Sequence, residues 1–343
     1  MNRGFWSKLN NPIMALAPMA NVTDAAMRKI IAKYGKPDVM FTEFVSADGL
    51  VSKGREKLLV DFWYEEGQRP IVAQIFGSKP ENIFKAAQIV RRLKFDGLDI
   101  NMGCPDRAVL KQGAGGALIK NPKLAQEIIQ AAKEGAGDLP VSVKTRIGFG
   151  KPVIEEWLPV LASQGLAAII VHLRTVKEMS DVPAHWEVMP EIVDLVRGRP
   201  SEDGPLILGN GDVMSILEAE EKCKQTGCDG VMLGRAIFGN PRLFRDKDHY
   251  GNIESRIGVR DKLNSASLLR DPESSSGLRE KMRVMLEHTF LFEKMFKDIK
   301  NFDIMKKHYK AYVSGFDGAK ELRAKLMGAK TAREVLEIVG VTA

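Results

Sequence analysis

The sequence predicts a (β/α)8 TIM barrel followed by a small C-terminal all-α helical domain. Eight short apolar runs lie between residues 13 and 233, and amphipathic helical stretches alternate with most of them. Runs that are apolar throughout are typical of strands buried in a parallel sheet, and eight of them fit the usual length of this barrel. From Leu278 onward the apolar residues keep only the three- and four-residue spacing of helices.

The elements of the barrel can be predicted in chain order. The strands are Ile13–Ala17, Val39–Thr42, Ile71–Ile75, Gly97–Ile100, Val141–Lys144, Ala167–Val171, Leu206–Leu208 and Gly230–Leu233. The helices are Asp24–Tyr34, Glu81–Leu93, Lys123–Lys133, Val153–Gln164, Glu187–Val196 and Met214–Thr226. Early prolines in "SKPEN" and "KNPKL" are typical of helix starts. A doubly wound open sheet is the alternative, but "APMANVTD" lacks its glycine-rich fingerprint.

We expect three segments along the chain. Residues 1–245 form the catalytic barrel, residues 246–277 a polar linker or insertion, and residues 278–343 a basic helical domain. The middle segment holds few apolar residues and ends in a Ser-Gly cluster. Ser276–Ala343 carries 14 lysines and arginines against 9 acidic residues, which accounts for +5 of the net charge of +7. This excess permits an anionic partner without identifying one.

Composition excludes several classes of protein. With 44% hydrophobic and 28% charged residues the chain is typical of a globular protein. No apolar run approaches the roughly 18 residues that cross a bilayer, and a proline and polar residues interrupt the N-terminal stretch where a signal peptide would be apolar. Three cysteines exclude a disulfide framework, and Cys223 with Cys228 lack the second pair of a zinc site. We expect a cytoplasmic protein without a metal site.

Functional residues of such a barrel lie at the carboxyl ends of its strands. All eight predicted ends carry polar or otherwise special residues, which a barrel built for stability alone would not need. They are Pro18 and Met19, Glu43, Gln74, Asn101 with Cys104, Lys144 with Arg146, His172 with Arg174, Asn210 with Asp212, and Gly234 with Arg235.

The last two strand ends together indicate a phosphate site. "LGNGD" and "LGRAIFGNP" supply glycines whose backbone N–H groups can approach an anion, and Arg235 lies beside the second stretch. Tight turns are the alternative explanation for either stretch alone. Lys144 and Arg146 share a strand face and suggest a bound electron-rich group, with a structural ion pair to Glu43 as the alternative.

Two further side chains have a binding and a structural interpretation. Gln74 can present a donor and an acceptor to a heterocycle, or it can be a satisfied core amide. His172 ends an apolar strand, where histidine is often a hydrogen-bonded core residue, but Arg174 follows it closely. A binding site and a core role both stay open for these residues.

Cys104 lies past the fourth strand in a Gly-Cys-Pro turn. A thiol with an ordinary pKa of about 8.5 is mostly protonated at neutral pH and can donate a proton, whereas a thiol that acts as a nucleophile would need a lowered pKa. The alternative is a small buried hydrophobic residue. Asn101 can offer a donor and an acceptor to an imide-like ring, a combination that suits a pyrimidine.

The motifs taken together resemble the tRNA-dihydrouridine synthases. The matching stretches are "APMANVTD", "QIFGSKPE", "DGLDINMGCPDRAVLKQGAGGAL", "VSVKTRIG", "VHLRT", "GNGD" and "GCDGVMLGRAIFGNP". The resemblance runs from about residue 11 to residue 244 and resumes in "MKKHYKAYVSGFDGAKELRAKL". Two departures stand out: Leu173 follows His172 where the family often has glycine, and the segment Arg245–Gly277 is long.

This resemblance implies an FMN-bearing barrel, a helical domain that holds tRNA, and NADPH or NADH as the hydride donor. It implies Cys104 as the general acid, Asn101 as the residue that holds uracil, and Arg146 and Arg174 as further substrate contacts. The residues that it implies for FMN are Pro18, Met19, Ala20, Gln74, Lys144, His172, Asn210, Gly211, Asp212, Gly234 and Arg235. We expect a monomer.

Two other functions stay open from the residues. A flavin dehydrogenase of a free pyrimidine would act without RNA, and the basic helical domain would then have no function in the reaction. An RNA-binding protein that kept the barrel but lost the chemistry would bind tRNA without flavin.

Overall fold

A computed structural model describes residues 2–197, 204–245 and 274–340. Backbone contacts divide the chain into two compact units. The first comprises Met1–Ala25 and Pro37–Ala236, and the second comprises Ala26–Lys36 and Ile237–Ala343. The predicted segment boundaries near residues 245 and 277 stay predictions, because most of the 246–277 linker lies outside the described residues.

The first unit is a barrel of eight parallel strands, as the sequence predicts. Each strand pairs with its neighbours in the sheet, and β8 pairs with β1. The remaining seam, between β1 and β2, is bridged by Ala15 and Val39, and the Leu16 N–H donates to the Val39 carbonyl at 2.9 Å. The strands are β1 (Ile13–Leu16), β2 (Met40–Ser46), β3 (Ile71–Phe76), β4 (Gly97–Met102), β5 (Val141–Arg146), β6 (Ala168–His172), β7 (Leu206–Asn210) and β8 (Gly230–Leu233).

Several strands extend past their predicted ends. β4 continues to Met102, β5 to Arg146 and β6 to His172, so polar residues that were expected to follow the strands belong to them. The apolar runs stop earlier because inward positions near the barrel mouth carry polar side chains, while the backbone ladder continues. These side chains are therefore held by strand geometry rather than by loops.

Helices follow most of the strands. They are α1 (Ala25–Tyr34), α2 (Ala47–Leu50), α3 (Pro80–Arg92), α4 (Arg107–Lys111), α5 (Pro122–Ala136), α6 (Ile154–Ala162), α7 (Met189–Arg197) and α8 (Ile216–Thr226). Pro122 occupies the first turn of α5, and the Asn121 side chain caps it by accepting from the Leu124 N–H at 3.2 Å. The first N–H groups of a helix have no acceptor within the helix, so a proline in the first turn removes no hydrogen bond.

The barrel interior is layered. Ile13 and Ala15 on β1, Ile170 on β6 and Leu208 on β7 belong to one buried cluster with Trp6. Alternate residues of a strand face the same side, so the residues two positions beyond this apolar layer also point inward. That next layer, toward the carboxyl ends, includes Gln74, Lys144, His172 and Asn210.

The second unit is helical. It contains α9 (Ser274–Phe296), α10 (Met305–Tyr312), α11 (Ala319–Leu326) and α12 (Ala332–Gly340), and residues 26–36 of α1 group with them. Lys33 Nζ and Tyr34 Oη both donate to the Glu287 carboxylate, at 2.5 and 2.6 Å, which explains why α1 joins these helices. Among the described residues, no helix combines the length and the apolar character that crossing a membrane requires.

Two histidines lie fully buried inside the helical unit. The rings of His288 and His308 are 4.6 Å apart between centroids, and Tyr312 and Phe238 pack near them. Neither ring nitrogen of either histidine has a hydrogen-bond partner within the described ranges. Burial lowers the pKa of His288 well below its ordinary value, and His308 adds to this. Burial and the charge of Lys307 lower the pKa of His308 to about 4.

We predict that acid destabilises the helical unit. The folded state disfavours protonated His308, so its contribution is complete above about pH 6.5 and is lost as pH falls toward about 4. The loss amounts to roughly 3 kcal/mol for a shift of this size. Urea unfolding followed between pH 7.5 and pH 4.5 measures it. His308→Phe should weaken the dependence and leave the part that His288 contributes, whereas His185→Gln, at a partly exposed histidine, should leave the whole dependence intact.

Candidate active site

Polar side chains occupy neighbouring positions on five consecutive strands, β3 to β7. The sheet register sets residues of adjacent strands side by side, and inward-facing residues then meet within the barrel. The neighbouring pairs are Gln74 with Asp99, Asp99 with Ser142, Asn101 with Lys144, Arg146 with His172, and His172 with Asn210. The register therefore converts separate strand ends into one continuous polar layer.

Lys144 is held in the middle of this layer. Its ammonium donates to Asn210 Oδ1 at 2.9 Å, and Asn210 Nδ2 donates to the Met232 carbonyl at 2.8 Å. Burial and the charge of Arg146 lower the pKa of Lys144 to about 8, although Asp99 opposes the shift. Lys144 is still mostly protonated at pH 7 and has further N–H donors to offer.

His172 is neutral, and its tautomer follows from its neighbour. Burial and the surrounding cations, first among them Lys144, hold the pKa of His172 far below its ordinary value. Arg174 Nη1 lies 3.1 Å from His172 Nε2. A guanidinium can only donate, so Nε2 accepts and the proton of the neutral ring resides on Nδ1. Leu173, the departure from the family motif, is fully buried, and its N–H donates to the Asn210 carbonyl at 3.0 Å.

Asp212 joins the two arginines of the site. Its carboxylate accepts from Arg174 Nη2, from Arg235 Nη2 and, at 2.8 Å, from the Ala184 N–H. Partial burial would raise the pKa of Asp212, but these hydrogen bonds and charges lower it on balance. Arg174 is 2% exposed, whereas the Arg235 side chain is 57% exposed. Arg235 is therefore free to meet an anion from solvent without leaving Asp212.

A pocket of about 240 Å³ opens at this layer. Arg174 and most of the predicted cofactor residues line it, although Ala20 and Gln74 do not. The predicted residues in its wall are Pro18, Met19, Lys144, His172, Asn210, Gly211, Asp212, Gly234 and Arg235, and the additional ones are Ala17, Ser180, Val213, Met214 and Met232. Lys144, Arg174 and Arg235 outweigh Asp212, so the wall carries a net positive charge.

Gly211 is required by the shape of this wall. Its φ of +137° lies in a region that other residues rarely adopt. A Cβ atom there would lie 2.6 Å from Ala184 Cβ and 3.4 Å from His172 Cδ2. Any larger residue would push apart the two segments that hold His172 and Asp212.

The Cys104 turn is organised by the side chain of Asn101. Asn101 Oδ1 accepts the Gly103 N–H at 3.1 Å and the Cys104 N–H at 2.9 Å. Asn101 Nδ2 donates to Gln74 Oε1 at 3.0 Å. A carbonyl oxygen has two lone pairs, so the Asn101 oxygen is fully used within the chain, and one N–H of its amide is left for a ligand.

Glycines on the following loop pack against the same turn. The Gly116 N–H donates to the Cys104 carbonyl at 3.0 Å, and a Cβ on Gly115 would lie 3.1 Å from Cys104 Cβ. The half-buried thiol packs against Phe76 and Val109. Burial raises the pKa of the Cys104 thiol, and the backbone hydrogen bond near Asp106 and the charges of nearby cations only partly offset it. The thiol is therefore protonated at neutral pH.

Arg146 contacts three backbone carbonyls. Its guanidinium donates to Gly103 at 2.9 Å, to Thr175 at 2.9 Å and to Met179 at 3.0 Å. It joins the Cys104 turn to the loop after β6, and it is 6% exposed. Burial and the charge of Arg174 lower the pKa of Arg146 to about 10, so it stays charged. The alternative of an ion pair from Lys144 or Arg146 to Glu43 stays a prediction; in the described chain Lys144 donates to Asn210 and Arg146 donates to backbone carbonyls.

Two residues of the polar layer were missed from the sequence. Asp99 and Ser142 are fully buried, and Ser142 Oγ donates to Asp99 Oδ1 at 2.6 Å. Asp99 lies two residues before Asn101, and Ser142 lies two residues before Lys144, so each shares a face with a predicted site residue. A carboxylate inside the apolar run "GLDIN" was a usable signal.

Comparison with known protein families gives a match over nearly the whole chain. A family model described as Dihydrouridine synthase (Dus) matches residues 15–342. The chain belongs to the dihydrouridine synthase family. The resemblance predicted from the sequence motifs is thereby confirmed, and the pocket described above is the candidate active site of a dihydrouridine synthase.

Relatives within this family match nearly the whole length of the chain. The "Probable tRNA-dihydrouridine synthase 2" of Bacillus subtilis (strain 168) is 38% identical over 340 residues, which are 98% of this chain and 95% of that protein. The "Probable tRNA-dihydrouridine synthase" of Staphylococcus aureus (strain COL) is 36% identical over 339 residues, 97% and 94% of the two chains.

The barrel fold also recurs in a solved structure of low sequence identity. Histamine dehydrogenase from Rhizobium sp. 4-9 has a TM-score of 0.51 and 15% identity over 69% of this chain and 45% of that one. The likeness concerns the fold alone.

We predict that the Cys104 thiol reacts slowly at neutral pH. Since burial raises its pKa, the thiolate fraction at pH 7 is smaller than that of a free cysteine, and alkylation by iodoacetamide should be slower. Mass spectrometry of the peptide that contains Cys104, over a pH series, gives the rate and its midpoint. A midpoint below that of free cysteine would contradict the protonated state and indicate a nucleophilic thiol.

Proposed function

We propose that this chain is an FMN-dependent tRNA-dihydrouridine synthase, which uses NADPH or NADH to reduce the C5–C6 double bond of uridines in tRNA. The observation that carries the proposal is the position of the Cys104 thiol, held in a turn at the end of β4, beside the strand that supplies Lys144 to a cationic pocket. Family membership supports the same reaction.

The pocket fits a flavin mononucleotide on its donor set. Lys144 Nζ and the Nδ1–H of neutral His172 are donors for the electron-rich edge of a flavin ring. Arg235, at the end of β8, is the exposed cation suited to the phosphate, with Gly234 beside it. Met19 and Pro18 offer apolar surface in the same wall. This arrangement supports the predicted FMN residues, except that Ala20 is exposed and Gln74 bonds within the polar layer.

When bound, reduced FMN supplies a hydride to C6 of the uracil. Lys144 stabilises negative charge next to the flavin, because its pKa of about 8 keeps it protonated at neutral pH. The uridine must leave its stack to reach the barrel mouth, which costs a few kcal/mol. Asn101 offers its remaining amide N–H to the base, and Arg174 is tied to Asp212 at the pocket wall.

Cys104 then completes the reduction. Its Sγ–H delivers a proton to C5 of the uracil, so that hydride and proton together saturate the double bond, and the thiolate regains a proton from water. A raised pKa keeps the thiol protonated before the reaction. The charges of Arg146 and Lys144 favour the thiolate once it forms.

We propose that the helical unit holds the tRNA. Residues 278–343 are basic, and lysines dominate the exposed positions of α10 and α11. Basic helices bind the phosphate backbone without reading its sequence. A flavin dehydrogenase of a free pyrimidine would leave this charge unused. A monomeric state, the choice of nicotinamide cofactor and a cytoplasmic location stay predictions.

We predict that Cys104→Ala abolishes dihydrouridine formation while flavin and tRNA binding persist. The thiol is the proton donor, but it does not line the pocket that we assign to the flavin. Removal of a general acid typically costs a factor of about 100 to 10,000 in rate. Mass-spectrometric mapping of dihydrouridine in tRNA, from cells with the wild-type gene, the variant or neither, measures the product.

The control is the visible absorption spectrum of each purified protein. Unchanged dihydrouridine with Cys104→Ala would refute the acid assignment. Wild-type protein that binds tRNA without flavin absorption would favour an RNA-binding protein instead. Turnover of free uracil without RNA would favour the flavin dehydrogenase.

We predict that Arg235→Ala weakens flavin retention through the phosphate. Loss of one partly exposed charged hydrogen bond should lower FMN affinity by roughly tenfold, and affinity for riboflavin, which lacks the phosphate, should change little. Fluorescence titration of apoprotein with both flavins separates the two. Arg197→Ala, which removes an ion pair to Asp229 outside the pocket, is the matched control. Equal losses for both flavins would place the phosphate elsewhere.

A further inference from the structure

A chain of four hydrogen-bonded side chains runs beneath the Cys104 turn. Ser142 Oγ donates to Asp99 Oδ1 at 2.6 Å, and Gln74 Nε2 donates to Asp99 Oδ2 at 2.7 Å. Gln74 Oε1 accepts from Asn101 Nδ2 at 3.0 Å. Asn101 Oδ1 then accepts the backbone N–H groups of Gly103 and Cys104. Asp99, Gln74 and Ser142 are fully buried, and Asn101 is 6% exposed.

The polarity of this chain is determined from both of its ends. An ionised carboxylate only accepts hydrogen bonds, so Asp99 requires the amide nitrogen of Gln74 to face it. The Gln74 oxygen must then face Asn101, which turns the Asn101 nitrogen toward Gln74 and its oxygen toward the Cys104 turn. The turn imposes the same orientation from the other end, because Asn101 Oδ1 accepts the N–H groups of Gly103 and Cys104. Without an acceptor at residue 99, the buried Gln74 N–H group would lose its partner, and only the turn would oppose rotation of the two amides. Asp99 therefore reinforces, through Gln74, the one orientation of Asn101 that holds the turn.

We propose that Asp99 is a positioning residue that fixes the Cys104 proton donor through Gln74 and Asn101. The inference rests on the function proposed above, in which Cys104 is the general acid. Asp99 does not line the pocket, and its carboxylate bonds to Ser142 and Gln74 rather than to the Cys104 turn, so it reaches the turn through the two amides.

A role in stability alone does not explain a carboxylate at this place. Leu98 and Ile100 on either side are fully buried, and an apolar residue at position 99 would avoid the cost of burying a charge. Burial raises the pKa of Asp99 to about 6, although the hydrogen bonds from Ser142 and Gln74 lower it, as expected for a carboxylate that is costly to bury. Lys144 compensates part of it by its charge. A buried polar chain that is satisfied at each link specifies a single arrangement.

Asp99→Leu and Asp99→Asn separate positioning from charge. The leucine side chain removes the acceptor, so the buried Gln74 N–H group loses its partner and only the turn still orients the two amides. The asparagine side chain can still accept from Gln74 with its oxygen and donate to the Ser142 hydroxyl with its nitrogen, but it carries no charge beside Lys144. Asp99→Leu should therefore loosen the Cys104 turn, and Asp99→Asn should preserve it.

Two measurements follow the turn and the reaction independently. Asp99→Leu should lower kcat for dihydrouridine formation by about 100-fold, the effect of misplacing a reacting group by roughly 1 Å, with tRNA affinity within about twofold of wild type. It should also make Cys104 react about five to ten times faster with a pyridyl disulfide, as expected when a turn loses roughly one hydrogen bond. Asp99→Asn should keep the thiol rate within about twofold of wild type.

Gln74→Glu supplies a pH-dependent readout and covers the case in which Asp99→Leu does not fold. The introduced carboxyl group, when protonated, can donate to Asp99 and accept from Asn101, as the glutamine does. Two carboxylates in contact share a proton at low pH and repel when both ionise. The thiol rate relative to wild type should stay near one at low pH and rise as the pair loses its shared proton. A purely structural role predicts a ratio that does not change with pH.

Failure of the positioning role of Asp99 and failure of the proposed function would give different results, and a control variant accounts for general damage. Asp229→Leu accounts for general damage to the barrel, because the Asp229 carboxylate accepts the Ile207 N–H and precedes β8, at the opposite end of the strands. Folded Asp99→Leu with the thiol rate and kcat of Asp229→Leu would overturn the positioning role. Inactive wild-type protein would overturn the proposed function instead, while the thiol rates, measured without flavin or tRNA, would still test Asp99.

Discussion

Polar groups inside the barrel must bond to one another, and this constraint governs the site. The interior of a closed eight-stranded sheet has little room for water, so each inward polar atom needs a partner from another strand. Asp99 with Ser142 and Gln74 with Asn101 satisfy this requirement between neighbouring strands, and Lys144 bonds to Asn210 two strands away. The register that closes the barrel is thus also what sets the geometry of the candidate active site.

Hydrogen bonds to acceptors within the chain also offset the repulsion between several cations that lie close together. Arg174 and Arg235 share Asp212, and Arg146 is held by backbone carbonyls. The repulsion that remains affects Lys144, because burial and the charge of Arg146 lower its pKa to about 8. A pocket with more positive than negative charge is poised to gain from an anionic or electron-rich ligand, since the ligand relieves the repulsion.

The sequence was sufficient for the barrel and for most of the pocket, because strand ends of a parallel barrel converge whatever the details of packing. Nine of the eleven predicted cofactor residues line one pocket. Asp99, Ser142 and the bonding of Asn101 could not be derived in this way, because they depend on which residues lie side by side on adjacent strands. The grouping of α1 with the C-terminal helices was equally hidden, since it depends on a contact to Glu287, more than 250 positions away.

A proton donor beside a cationic pocket faces opposing requirements. Positive charge favours a thiolate and would deprotonate Cys104 too early, whereas burial alone would make the thiolate too costly to form. In this chain burial is the larger effect, so the thiol keeps its proton, and Arg146 and Lys144 lower the cost of releasing it. The turn meets both requirements, because Asn101 and Arg146 bond to its backbone and hold Cys104 where Sγ is half-buried and near these cations. Hydrogen bonds to the backbone of the turn thus determine the position of the Cys104 thiol, and burial and the surrounding charges determine how readily it releases its proton.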